Sequence, residues 1–213
     1  GATLVCCDSH TSTNGGVGAL AFGIGASEAE HVLATQTLAQ SRPRTMRVTF
    51  TGRLAPGVYA KDMILALIGQ IGAQGGIGYA TEFTGPAVSE LSVEGRLTLC
   101  NMAIEFSCKY GFVPPDEKTI DYLRGSEFSP KGKDWDRAVA YWRTLPSDAG
   151  AIFDREVTVD CSQLKPQVTW GISPQQVVSV CDAIPDPSMA ADDEARQLGE
   201  RALGYMQLSA GQA

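Results

Sequence analysis

Residues 45–83 read TMRVTFTGRLAPGVYAKDMILALIGQIGAQGGIGYATEF, and two periodicities alternate within them. Thr45 to Leu54 alternates between apolar and polar side chains, the period-2 pattern of a half-buried strand. From Ala60 to Ile71 the apolar positions Met63, Ile64, Leu67, Ile68 and Ile71 recur at helical spacing, and Ile77 to Phe83 returns to a strand-like pattern. Strand, helix and strand in succession predict an α/β fold, with mixed sheets flanked by helices.

The alternation extends outward in both directions. Upstream, Thr3 to Cys7 is a short β-prone run that gives way to polar Asp8-Ser9-His10-Thr11 and then to a glycine-rich stretch, Gly15 to Gly25. Gly16 to Gly25 is expected to form a buried helix whose small residues let it approach other backbone closely, despite the helix cost of each glycine. Ser27 with Glu30 fits a capping box for a further helix running to about Gln40. Downstream, Ser92 is expected to cap a helix through about Lys109, which Gly111 and Pro114-Pro115 stop. Helices follow at Glu117 to Leu123 and Trp135 to Leu145, then a strand near Phe153 to Asp160, turns marked by Pro166, Pro174, Pro185 and Pro187, and a polar helix near Asp192 to Met206. Three portions are expected: residues 1–42 with the Asp-Ser-His motif, an α/β core over 43–150, and a strand-and-helix extension over 151–213.

With 213 residues, 44% apolar and 19% charged, the chain has the composition of a soluble globular protein. No apolar run is long enough to span a bilayer and no signal peptide is evident, so the expected location is cytoplasmic. A net charge of -7 with dispersed basic residues argues against a nucleic-acid or anionic-membrane partner. The six cysteines are expected to be free thiols. Cys6-Cys7, Cys100 with Cys108, and Cys161 with Cys181 lack the C-x-x-C spacing of a cluster or zinc site, so the chain is expected to hold no metal by itself.

Two groups of residues could carry chemistry. Asp8, Ser9 and His10 stand where a strand gives way to a loop, the usual ligand-binding edge of an open α/β sheet. They offer a carboxylate, a hydroxyl and an imidazole, a set able to orient a hydroxy acid and move a proton, and equally able to form a hydrogen-bonded turn. Asn101 and Glu105 lie four apart on an otherwise apolar helix, so both are expected on one face, either in a pocket or with Glu105 paired at the surface. His31 is expected to be a structural histidine. The Gly15 to Gly25 stretch lacks the G-x-G-x-x-G order and the acidic residue of a dinucleotide site, which excludes NAD.

Taken together, Cys7 to Thr13 (CDSHTST), Gly18 to Gly25 (GALAFGIG), Glu30 to Leu38, Leu54 to Val58, Glu94 to Glu105 (EGRLTLCNMAIE), Trp135 to Leu145 and Pro166 to Gly171 resemble, in order and spacing, aconitase-family isopropylmalate dehydratase large subunits. The resemblance runs essentially end to end. It implies a 4Fe-4S hydro-lyase that isomerises a small hydroxy-carboxylate by dehydration and rehydration. It also implies that Asp8, Ser9, His10, Asn101 and Glu105 line one active site, with Glu105 and His10 managing the hydroxyl that leaves as water.

The family's cluster-binding cysteine segments and its swivelling domain have no counterpart in these 213 residues. A cluster is therefore expected only if partner chains supply the cysteines. Cys7 stands in place of a usual glycine and Asn14 in place of a usual histidine. The segment after Glu105 carries Phe106, Cys108, Tyr110 and Phe112, which are expected to build a bulkier, more apolar pocket, with Cys108 contacting substrate. Three readings follow: a component of a split hydro-lyase with complementary subunits, a freestanding cluster-free enzyme acting alone or as a homo-oligomer on a larger apolar substrate, or a non-catalytic assembly module.

Overall fold

The computed structural model describes residues 1–212. Its centre is a four-stranded sheet in which every pairing is parallel: β3 (Arg44–Thr51) pairs with β4 (Tyr79–Thr84) and with β6 (Arg155–Asp160), and β4 pairs with β5 (Tyr110–Phe112). A separate two-stranded parallel sheet joins β1 (Thr3–Cys6) to β2 (Leu20–Gly23), and an antiparallel pair joins β7 (Gln167–Thr169) to β8 (Val177–Ser179). The mixture of strand directions is thus divided among sheets. The α/β class stands as the sequence implies.

One face of the central sheet carries the core. Met46, Val48 and Phe50 of β3, Phe83 of β4, and Val157 and Val159 of β6 meet Met63, Ile64, Leu67 and Ile68 of α2 (Ala60–Ile71) and Leu99 and Cys100 of α4 (Val93–Asn101). The apolar stripe on α2 faces the sheet, as its spacing requires. The opposite face presents Thr45, Arg47, Thr49, Glu82 and Thr84, partly covered by the connection before β6, where Phe153 stacks 4.0 Å from the Arg47 guanidinium. Ala87 and Val88 of α3 (Pro86–Glu90) join this core, and outside it lie α1 (Ala26–Thr35), α5 (Glu117–Leu123), α6 (Lys133–Trp142) and α7 (Asp193–Met206). Among the described residues, no helix is long and apolar enough to cross a membrane.

Several sequence expectations are corrected. Gly16 to Gly25 is not a helix: a 3-10 helix spans Ser9–Val17, Gly18 turns the chain with φ 77°, and Leu20–Gly23 is strand β2. Helix α1 is capped at its start by Gly25, whose N–H donates to Glu28 Oε2 at 2.9 Å, and at its end by Gln36 in a left-handed conformation, short of Gln40. All of α1 lacks buried residues, so His31 is exposed rather than packed. Ser92 does cap α4, accepting from Gly95 N, but the α-helix stops at Asn101, continues as a 3-10 turn over Met102–Phe106, and ends at Ser107 (φ 64°). The cause lies in the sheet: Lys109 N donates to Tyr79 O, and Tyr110–Phe112 are drawn alongside β4 as β5.

Three of the six free cysteines, Cys100, Cys108 and Cys161, are buried, and Cys6, Cys7 and Cys181 are exposed. Burial, opposed by hydrogen bonds from Thr81 and nearby backbone, pushes the Cys108 thiol up to about 11. Burial and the Asp160 charge do the same for Cys161, also to about 11, and burial raises Cys100 as well. A second buried polar group, Arg96, is 1% exposed and forms a bidentate pair with Asp116, both contacts 2.6 Å. Burial alone would raise the Asp116 carboxyl, but the Arg96 hydrogen bonds, the Thr119 N–H and the Arg96 charge hold it below the usual carboxylate range.

Two outcomes follow from this core. A thiol reagent at neutral pH should titrate Cys6, Cys7 and Cys181 rapidly, with the buried three reacting at least about a hundredfold more slowly until denaturant is added, since two pH units of added pKa remove that much thiolate; fast labelling of all six would contradict the packing. Asp116→Asn should lower unfolding stability by about 2 kcal/mol or more, because it leaves a buried guanidinium uncompensated. The depressed carboxyl also fixes the sign of the pH effect. Its contribution is complete above the ordinary carboxylate pKa of about 4 and is lost as the pH falls through the lowered folded-state value, so the wild-type advantage over the variant should shrink in acid urea titrations.

Candidate active site

Strand β1 delivers the Asp-Ser-His motif to its C-terminal end, and the following 3-10 helix fixes it there. Asp8 is the N-cap: its Oδ1 accepts from His10 N at 2.7 Å, and its carbonyl accepts from Thr11 Oγ1 at 2.6 Å. The Asp8 carboxylate thus holds the backbone that presents the imidazole, the turn role that Asp readily adopts. Thr13 Oγ1 donates to the His10 carbonyl at 2.6 Å and accepts from Asn101 Nδ2 at 2.9 Å.

Small residues determine how the 3-10 helix meets α4. A Cβ on Gly15 would lie 1.9 Å from the Gly111 carbonyl oxygen, and one on Gly16 would lie 2.6 Å from Leu97 N. Between them and the motif, fully buried Ser12 donates to Cys100 O and accepts from Gly111 N, both at 2.8 Å. The close approach expected of this glycine-rich segment is therefore real, although the segment making it is a 3-10 helix.

That docking brings the two candidate groups together. His10 Nε2 lies 3.0 Å from Glu105 Oε1 across 95 residues of chain, and His10 Nδ1 lies 3.1 Å from Ser9 Oγ. An ionised carboxylate only accepts, so Nε2 carries the proton toward Glu105, and Nδ1 accepts from Ser9 when the ring is neutral. Ser9, His10 and Glu105 thus form a hydroxyl–imidazole–carboxylate chain of contacts. The His10 and Glu105 side chains are 38% and 40% exposed, open to a ligand rather than sealed in the core.

Glu105 and Asn101 line a cleft of about 630 Å³, within the range of small-molecule sites. Because the α-helix tightens into a 3-10 turn after Asn101, the two do not stack on one α-helical face as their spacing suggested, yet both reach this cleft. Lys61 and Leu65 of α2 form a second wall, and Gln167–Thr169 with Gly171–Pro174 form a third. The third wall is anchored by Asp62, whose Oδ1 accepts from Gln167 N while Oδ2 accepts from Tyr59 N, both at 2.7 Å. Gln175 and Gln176 add bonds to Ala73 N and to Ile172 N at 2.9 and 2.8 Å.

Cys108 is not part of this group. It is 4% exposed in the core, its sulfur 3.0 Å from both Thr81 Oγ1 and Tyr79 O. Phe106 is likewise buried, and Tyr110 and Phe112 line a separate cavity of about 260 Å³ on the opposite face of the sheet, so the segment after Glu105 does not enlarge the cleft. Lys61 and Asp62 were missed by sequence reasoning. A lysine in the first turn of an amphipathic helix, where a carboxylate is electrostatically favoured, was the available signal for the first; Asp62, three residues after Tyr59, fits a cap and gave no sign of its second bond.

The 4Fe-4S cluster that the resemblance implies requires converging thiolates. Three cysteines are instead buried in the core with raised pKa values, and among the described residues no three His, Cys, Asp or Glu side chains gather as a metal site. The residues of this chain do not fit the cluster.

Comparison with known families agrees with the geometry: a family model described as the aconitase family (aconitate hydratase) matches residues 1–213. The general chemistry of that family is that of hydro-lyases and isomerases acting on small molecules, which accords with an acid-base pair at the edge of an open cleft. With the match covering its whole length, the chain belongs to the aconitase family.

Proposed function

We propose that this chain provides the acid-base half of the active site of a cytoplasmic hydro-lyase of the isopropylmalate dehydratase branch. Its substrate is a hydroxy-carboxylate such as isopropylmalate, and complementary chains hold any cluster. The observation that carries the reading is the 3.0 Å contact between His10 Nε2 and Glu105 Oε1 at the edge of the 630 Å³ cleft. In dehydration a C–O bond breaks and the departing hydroxyl needs a proton; His10 supplies it from its imidazolium form beside the Glu105 carboxylate and becomes the neutral ring, which takes a proton back from the water that re-adds at the neighbouring carbon. Ser9 orients the ring, and Asp8 acts as a positioning residue through the His10 backbone. Asn101 binds at the cleft wall. The proton on carbon goes to a base that the resemblance assigns to the swivelling domain.

A second reading is favoured by the apolar lip of the same cleft, where Val168 is 46% and Ile172 68% exposed. A freestanding enzyme using the pair on a larger apolar substrate would place its hydrocarbon there. Native mass and bound iron of the anaerobically purified protein separate the two: a complex with a second polypeptide and iron supports the split hydro-lyase, and an iron-free homo-oligomer supports the freestanding enzyme.

Glu105→Gln preserves shape and removes the ionisable group. In the purified protein with its co-purifying chains, it should reduce isopropylmalate turnover by about a hundredfold or more, the usual contribution of a positioned acid-base group. The melting temperature should move by no more than about 2 °C, because a half-exposed ion pair contributes little stability. Undiminished turnover would remove Glu105 from the mechanism.

A further inference from the structure

The cleft confronts an anionic substrate with the carboxylate of Glu105, and a compensating cation is needed nearby. Lys61 is the one basic side chain among the residues that line it. It also lines the adjoining 300 Å³ lobe beside Thr13 and Asn101, so it stands where the two lobes join. Lys61 is exposed, and among the described residues it takes part in no ion pair.

Local structure gives Lys61 no reason of its own. It occupies the first turn of α2, where the helix dipole is positive and a lysine is electrostatically disfavoured. Its neighbour Asp62 is committed, one oxygen to Tyr59 N and the other to Gln167 N. A carboxylate entering the cleft relieves this: it meets the ammonium and the positive end of α2 together, while Leu65, one helical turn along, gives the same wall an apolar continuation.

We propose that Lys61 is the carboxylate anchor of this cleft, holding the acid group of a hydroxy-carboxylate so that its hydroxyl faces the His10–Glu105 pair. The proposal rests on the acid-base reading of the cleft and adds the residue that decides which substrates it accepts. Neutral analogues lose this contact.

Calorimetric titration of the purified protein with its co-purifying chains, using 2-isopropylmalate at neutral pH, tests it with wild type, Lys61→Met, Lys61→Arg and Glu105→Gln. Saturable wild-type binding is expected, weakened about tenfold by Lys61→Met as one charge-assisted contact is lost. Lys61→Arg should restore affinity to within about threefold of wild type, which a merely structural role would not require, and Glu105→Gln should bind at least as tightly as wild type. Wild-type affinity should also fall with added salt, a dependence that Lys61→Met flattens. Equal affinity of Lys61→Met and wild type would overturn the anchor while leaving the acid-base pair in place. Absence of saturable binding by wild type would overturn both.

Discussion

The contact on which the site depends is between two backbones. The segment carrying His10 and the segment carrying Glu105 approach because Gly15 and Gly16 have no side chain where Gly111 O and Leu97 N already lie, 1.9 and 2.6 Å from the positions a Cβ would occupy. Hydrophobic contact alone cannot set this separation, since any side chain at either glycine holds the segments apart by the width of a methyl group. Ser12 then fixes the register, because its one hydroxyl bonds both Cys100 O and Gly111 N. Sequence separation between His10 and Glu105 is thereby replaced by a short stack of buried polar and backbone contacts. A displacement of about 1 Å there would take Nε2 out of hydrogen-bond range of Oε1.

The sequence made legible those elements whose pattern is decided locally. Helix α2 matches its spacing end to end because Met63, Ile64, Leu67 and Ile68 form one stripe, and Ser92 caps α4 because a hydroxyl at that position satisfies an otherwise free N–H. What escaped was decided by partners distant in the chain. Strand β2 became a strand because Leu20–Gly23 lie beside Thr3–Cys6, and the helix after Ser92 yielded at Ser107 because β4 recruits residues 110–112. Both overrides are tertiary, and no local periodicity signals them. The site followed the same division: the pairing of the Asp-Ser-His and Asn-Glu groups was implied by family likeness, whereas their 3.0 Å contact, the seclusion of Cys108 and the role of Asp62 depend on packing.

Two ion pairs in the molecule differ in how deeply the basic partner is buried. Arg96 is 1% exposed and bidentate to Asp116, with Thr119 Oγ1 and Ser89 O filling further donor positions. Asp116 itself is 42% exposed, so it is the buried guanidinium that makes the pair costly to break: without the carboxylate its charge is left uncompensated in low dielectric. His10 and Glu105 have the same type of partnership at about 40% exposure, with water available to either member. The first pair holds α3 and α5 to α4 through Ser89, Asp116 and Thr119; the second lies open to solvent.

The cleft wall opposite Glu105 is built differently from the rest of the site. Strand β7 has only its short antiparallel partner β8, so its position relies on the bond from Gln167 N to Asp62 and on the Gln175 bond to Ala73 N. Asp62 therefore serves two elements at once, since its other oxygen caps α2 through Tyr59 N. The residue beside it is Lys61. The α2 N-terminus therefore carries Lys61 and, through Asp62, the β7 wall, while His10 and Glu105 are fixed by the glycine-backed contact behind them. The two walls of the cleft are thus tied by different polar contacts, one set fixing His10 and Glu105 and the other fixing β7 to α2, and both are backed by the same core, where Met63 and Leu67 of α2 pack with Leu99 of α4 and with Phe106.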